Sequence, residues 1–181
     1  MCSVRDYDHT LNCQATQHMK ILDISAGRRA AWFDKNHRDA IYVDVRPEVG
    51  PTIVADARCL PAEVGENYDL IVFDPPHKNN AASGKMAHNY GHWTAEQIRD
   101  IVTGSAREAY RVSRPDALMA FKWNDHTRKL SSVLAWIDPW WEPLFGHGVS
   151  GQQRHKSMTS WVMLRRRDDA SALKAFALAA E

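Results

Sequence analysis

An α/β fold built on a mostly parallel sheet is what this sequence predicts, and three observations predict it. Four apolar runs each end in an acid: Lys20-Ile21-Leu22-Asp23, Ala40-Ile41-Tyr42-Val43-Asp44, Thr52-Ile53-Val54-Ala55-Asp56 and Tyr68 to Asp74. Ile98, Ile101, Val102 and Ala109 recur at helical spacing behind Thr94-Ala95-Glu96-Gln97, which has the outline of a capping box. The runs Trp140 to Phe145 and Ser160 to Leu164 then read as an antiparallel hairpin at the sheet's edge. Parallel strands place their carboxyl ends on one rim, where open α/β sheets bind ligands. Four acids on that rim are a chemical feature as well as a set of strand ends.

Bulk properties narrow the function. The 181 residues are 44% hydrophobic, enough for one domain with a substantial core, and the net charge of +1 supplies no global field toward nucleic acid or membrane. Any nucleic-acid contact must come from local basic patches. Cys2, Cys13 and Cys59 lack Cys-x-x-Cys spacing and fit a reducing cytoplasm; Cys59 reads as a small core residue. No apolar run reaches the ~20 residues of a membrane span and no signal-like block opens the chain, so a cytoplasmic protein is expected. Residues 1–18 read as a flexible arm; their His9, Cys13 and His18 match no zinc spacing, and no metal is expected.

Taken in order, the first strand leads through Ile24-Ser25-Ala26-Gly27 into Arg28 to Asn36, which predicts a short helix with Ala30, Ala31 and Phe33 toward the sheet. Strand, small-residue turn and helix bring backbone N–H groups against a nucleotide-like ligand, although Gly-x-Gly-x-x-Gly is absent. Asp44 ends the second strand, a position that suits ribose hydroxyls. Only Arg46 to Pro51 separates the second strand from the third, too short for an ordinary helical crossover. Either a helix is missing there or the third strand lies elsewhere.

The fourth strand stops at Asp74-Pro75-Pro76-His77. Neither proline can donate to a ladder and each keeps its predecessor extended, so a carboxylate is held rigidly just past the strand. Asp74 and the Pro75 carbonyl can accept the two N–H bonds of a flat amine while His77 packs on its face. The plain alternative is a strand terminator.

Lys78 to His92 reads as a lid. The fifth strand, Ala117 to Lys122, ends at Lys122-Trp123-Asn124 on the same rim; Trp123 can wall a base pocket and Asn124 can bond substrate, or they are a core tryptophan and a helix cap. Thr127 to Ile137 predicts a helix stopped by Asp138-Pro139. Gly146 to Ser157 is a loop with His147, Arg154, His155 and Lys156, suited to phosphates or to being a solvated tip. Residues 168–181 form an alanine-rich helix candidate that can dock on the domain, on a second copy or on a partner subunit.

In order and spacing these motifs resemble the class I S-adenosylmethionine-dependent methyltransferases. Ile21-Leu22-Asp23 with Ser25, Ala26 and Gly27 looks like their first motif, Asp44 like the ribose acid, and Asp56-Ala57 like the pair that meets adenine. Asp74-Pro75-Pro76-His77 is similar to the Asp/Asn-Pro-Pro-aromatic motif of enzymes that methylate exocyclic amines of nucleobases. Trp32 to Lys35, Phe73 to His77, Phe121 to Asn124 and Leu144 to His147 look like a group of small phage and bacterial methyltransferases. The resemblance implies a Rossmann-like methyltransferase domain over residues 19–167, with a seven-stranded sheet, helices on both faces and an antiparallel edge hairpin. It implies S-adenosylmethionine as cofactor and a nucleic-acid substrate, adenine N6 in DNA or RNA. Asp74, Pro75, Pro76 and His77 would be catalytic, and Lys78, Lys122, Trp123, Asn124, His147, Arg154 and Lys156 would meet substrate. The same fold acting on a small-molecule amine, and a non-catalytic nucleic-acid-binding module, are the competing readings.

Overall fold

The computed structural model describes residues 18–78, 93–149 and 158–168. Seven strands form one sheet in the order β3-β2-β1-β4-β5-β7-β6. They are β1 (Ile21–Asp23), β2 (Ala40–Asp44), β3 (Ile53–Val54), β4 (Tyr68–Phe73), β5 (Ser113–Asn124), β6 (Trp141–Val149) and β7 (Thr159–Arg166). The first five pair in parallel, and β7 runs antiparallel between β5 and β6. This is the Rossmann-like order expected, reversing direction beside β1, the switch point at which such sheets open a ligand crevice.

Alternation of side chains across the pleat sorts the sheet into two faces. Leu22, Val43, Ile71, Phe73, Met119, Phe121 and Trp123 form the main core with α1 (Ala95–Val112) and α2 (Leu130–Ile137). The opposite face carries Ile21, Ala40 and Tyr42, with Leu70, Val72 and Trp32 against them. Both described helices therefore cover one side of the sheet. The capping box is present as expected: Thr94 Oγ1 accepts the Gln97 N–H at 3.2 Å, and Gln97 Oε1 accepts the Thr94 N–H at 2.8 Å. Trp141 Nε1 donates to the Ala106 carbonyl at 2.9 Å and ties the edge hairpin to α1.

Several expectations are corrected. No helix forms over Arg28 to Asn36; turns occupy the stretch. Gly27 and Arg29 have φ of 51° and 56°, outside the helical region, and the Asp34 carboxylate captures the Asn36 N–H at 2.9 Å. Ala30 and Ala31 are exposed, and Phe33 faces solvent entirely. Trp32 turns inward instead, edge-on to Tyr42 at 5.1 Å. Between β2 and β3 the strand is real and the helix is missing: a single 3₁₀ turn, Pro47–Val49, closed by left-handed Gly50 makes the crossover. Cys59 is exposed rather than in the core. The hairpin strands run longer than expected, so Gly146 and His147 lie in β6, paired to Val162 and Trp161, and not in a loop. The arm 1–17, the lid from residue 79 to 92, the loop residues Arg154, His155 and Lys156, and the C-terminal helix beyond Asp168 lie outside the described residues.

Candidate active site

The parallel register puts the acids on one rim in the spatial order Asp56, Asp44, Asp23, Asp74. Asp23 pairs with Tyr42 and Val72, two residues short of Asp44 and Asp74 on the neighbouring strands. It is thus sunk one pleat below them, only 4% exposed. Its oxygens accept the Ser25 N–H at 3.1 Å and the Trp32 indole N–H at 2.8 Å. Burial, against the relief those bonds give and with help from the Asp74 and Asp44 charges, pushes its carboxyl up to about 6. Asp23 therefore holds up the Trp32 turn and the Ser25 loop from beneath the rim.

That shift has a sign. The folded state keeps a proton on Asp23 that the unfolded chain has already released above pH ~4, so the contribution is full below that pH and is lost as pH rises through about 6. Stability measured by urea unfolding is expected to fall between pH 4 and pH 6.5, by up to about 3 kcal/mol from this group, and to be level above that. Asp23→Asn should flatten that slope; an unchanged slope would assign it to other groups.

Asp44 is 7% exposed, and every acceptor position on it is used. Oδ1 accepts the Arg46 backbone N–H at 3.0 Å and Nε at 2.9 Å. Oδ2 accepts the Gly27 N–H at 2.8 Å and the Arg46 Nη2 at 3.1 Å. Burial alone would raise Asp44, but these donors outweigh it and hold the carboxyl below its ordinary value. Asp56 is more open, and Arg58 holds it the same way, at 2.6 Å, while also bonding Asp100 of α1 at 2.5 Å. Ala57 is half-buried behind it, packed on the core. Ala26 donates to the Val43 carbonyl at 3.0 Å, so the Ser25-Ala26-Gly27 turn is laced to β2 along its length.

Asp74 lies just beyond β4. Its N–H donates to Ser25 Oγ at 2.7 Å, which makes Ser25 a strut between the first-strand turn and the acid. Its Oδ2 accepts from Lys122 Nζ at 2.6 Å. Among the described residues Oδ1 accepts no hydrogen bond, and the side chain is 32% exposed. Pro75 is buried, with Pro76, His77 and Lys78 half-buried after it. The His77 ring stands edge-on to Trp123 at 6.1 Å, and its carbonyl accepts the Thr127 hydroxyl at 2.8 Å. Burial lowers the ring below its ordinary value, against the pull of Asp74, so it is neutral at pH 7.

The structure distributes the remaining candidates differently from the sequence reading. Trp123 is 1% exposed, stacked on Phe121 at 6.2 Å, and donates to the Arg128 carbonyl at 2.9 Å. It backs His77 from inside the core and does not wall a pocket. Asn124 spends its amide on Thr159 Oγ1 and its carbonyl on the His126 N–H, closing the strand end. His147 is exposed on β6, directly across from Trp161. Sequence reasoning missed Arg46, Arg58, Trp32 and Trp161. The two arginines each stand two residues after an acid, the only local signal for those clasps.

No protein-family model and no curated protein sequence matches the chain. Solved structures do. The N-methyltransferase NodS from Bradyrhizobium japonicum WM9 superposes with a TM-score of 0.55 at 14% identity, over 83% of this chain and 86% of that one. A TehB-like S-adenosylmethionine-dependent methyltransferase from Corynebacterium glutamicum gives 0.55 at 14% identity, over 82% and 80%. An rRNA methylase from Streptococcus thermophilus gives 0.50 at 12% identity, over 82% and 86%. The fold is the Rossmann-like fold of the S-adenosylmethionine-dependent methyltransferases.

Proposed function

We propose that this chain is an S-adenosylmethionine-dependent N-methyltransferase that acts on an exocyclic amine of a nucleobase, with adenine N6 in DNA or RNA the expected target. One observation supports the reading: Asp74 is clamped through its backbone by Ser25 and through Oδ2 by Lys122, and among the described residues Oδ1 has no donor.

The residues fit the cofactor. Asp44 offers a buried carboxylate at the end of β2 for ribose hydroxyls, the Ser25-Ala26-Gly27 turn borders the crevice, and Asp56-Ala57 stands next along the rim for adenine. One adjustment is required, because Arg46 must release Asp44 before a hydroxyl can bond it. S-adenosylmethionine bound there supplies an electrophilic methyl group. Asp23 adds a carboxyl beneath the sulfonium end of the crevice, held in place by Trp32.

The substrate side follows from the same geometry. A nucleobase amine is a weak nucleophile, since its lone pair is delocalised into the ring. Accepting its N–H at Asp74 Oδ1 draws the nitrogen toward pyramidal geometry and aims the lone pair. A neutral His77 packs on the base without a charge to desolvate. On transfer the amine nitrogen would take the methyl carbon as that carbon's bond to sulfur breaks, leaving S-adenosylhomocysteine, and Asp74 would pass the proton shed by nitrogen to solvent; the rest is proximity and electrostatic alignment, with no covalent intermediate. A duplex base would have to leave the stack first.

Methyl incorporation from labelled S-adenosylmethionine into DNA, RNA and small-molecule amine pools, with the product identified by mass spectrometry, tests the proposal. Transfer to small amines alone would overturn the nucleobase target, and a protein that binds no cofactor would overturn the enzyme. Asp44→Ala is expected to weaken S-adenosylmethionine binding about tenfold by calorimetry, the ~1.4 kcal/mol scale of a charge-assisted hydrogen bond. Arg46→Ala, which frees the same carboxylate, should tighten it. Equal loss in both variants would make the pair a structural clasp.

A further inference from the structure

By register, Asp74, Lys122, Trp161 and His147 form one row across β4, β5, β7 and β6. Phe73 pairs with Phe121, which brings Asp74 level with Lys122; Lys122 pairs with Trp161, and Trp161 with His147. Phe121 and Trp123 point into the helix-covered core, so the alternation of the pleat turns Lys122 and its row to the other face. Lys122 Nζ lies 5.8 Å from the Trp161 ring centroid while bonding Asp74, so ammonium, indole and carboxylate are physically linked. One row below, Phe145 pairs with Met163 on the same face. Trp161 is 37% exposed and Phe145 70% exposed. An indole open to solvent and linked through Lys122 to the carboxylate, with a second exposed ring beyond it on a face with no described helix, is a marker of binding rather than of packing.

We propose that this face binds the nucleic-acid strand beside the target base, with the Trp161 indole as the platform on which an unpaired neighbouring base stacks. The inference rests on the methyltransferase reading above and adds to it the state of the substrate: single-stranded or locally unpaired. The backbones of Trp161 and Asp74 lie two strand spacings apart, ~10 Å, and Lys122 bridges their side chains, so the indole borders the place of a base whose amine is held at Asp74. A nucleotide adjacent to the target base would reach it. A base inside a duplex has both faces covered by its neighbours and cannot lie on an indole. Stacking tolerates any base, because every base has a π-face. The platform therefore supplies affinity for an open strand and no sequence preference.

Fluorescence anisotropy of a labelled adenine-containing oligonucleotide, single-stranded and as its duplex, tests this with wild type, Trp161→Ala and Trp161→Phe. Methyl transfer to the same oligonucleotides is measured alongside. Wild type should favour the single strand. Trp161→Ala should weaken single-strand binding about tenfold and raise KM with kcat little changed, while Trp161→Phe, which still stacks, stays within about threefold. The S-adenosylmethionine titration and the melting curve of each variant report on the cofactor site and the fold. If wild type methylates nucleic acid and Trp161→Ala binds the single strand unchanged, the platform is overturned and the methyltransferase reading stands. Equal losses in the Ala and Phe variants would also overturn stacking, as would equal affinity for duplex and single strand. If no nucleic acid is methylated, the nucleobase reading falls and the platform with it.

Discussion

Asp74→Ala is expected to reduce single-turnover methyl transfer at least ~100-fold under saturating cofactor, the ~2.7 kcal/mol scale of one preorganised polar contact to the reacting group. Cofactor affinity should be nearly normal, because the proposed function gives Asp74 the amine as its partner and Asp44 the ribose. The Lys122 contact sharpens the result for Asp74→Asn. Lys122 Nζ holds Oδ2 at 2.6 Å, so an amide at this position gives its carbonyl to Lys122 and turns its NH₂ toward the substrate. A donor then meets a donor, and Asp74→Asn should be nearly as damaging as the alanine variant. Adding Lys122→Met to Asp74→Asn releases the carbonyl and should recover part of the rate. Wild-type transfer by Asp74→Ala would return Asp-Pro-Pro to the role of a strand terminator.

The second large effect is on stability. Trp123 is 1% exposed, with its indole N–H bonded to Arg128 and its ring between Phe121 and His77. Trp123→Ala removes that volume from a packed core and is expected to cost about 3–5 kcal/mol, with the melting temperature lower by roughly 10 °C. Urea and thermal unfolding measure it. Turnover should also fall, since the wall behind His77 is gone, and Trp123→Phe should recover most of the stability. A Trp123→Ala protein that is fully stable yet inactive would restore the direct substrate contact read from the sequence and remove the buried support found here.

Much of the fold could be read along the chain. An apolar run that stops at an acid, a Thr-x-x-Gln cap before a helical period, and a double proline after a strand are short-range patterns. These patterns act locally, and four strand ends, the start of α1 and the end of β4 before Asp74 followed directly. The helix over Arg28 to Asn36 failed because an apolar period was read without the left-handed turns at Gly27 and Arg29, where Gly27 is bonded to Asp44 and Arg29 to Gly50, both distant in sequence. Cys59 and the reach of β6 failed for a related reason: exposure and strand length depend on what the rest of the chain places alongside.

Residue types and their order along the chain therefore determined the strand succession and the line of acids on one rim, since both follow from side-chain periodicity and local backbone preference. Which partners each acid takes was decided only when the strands lay side by side. Arg46 and Arg58 fill Asp44 and Asp56, Trp32 and burial engage Asp23, and Lys122, 48 residues away in sequence, takes one oxygen of Asp74, the other having no donor among the described residues. The same juxtaposition buried Trp123 and turned Trp161 outward on the Asp74 row. Such partnerships depend on register between strands distant in sequence, and a one-residue slip would send each of these side chains to the opposite face.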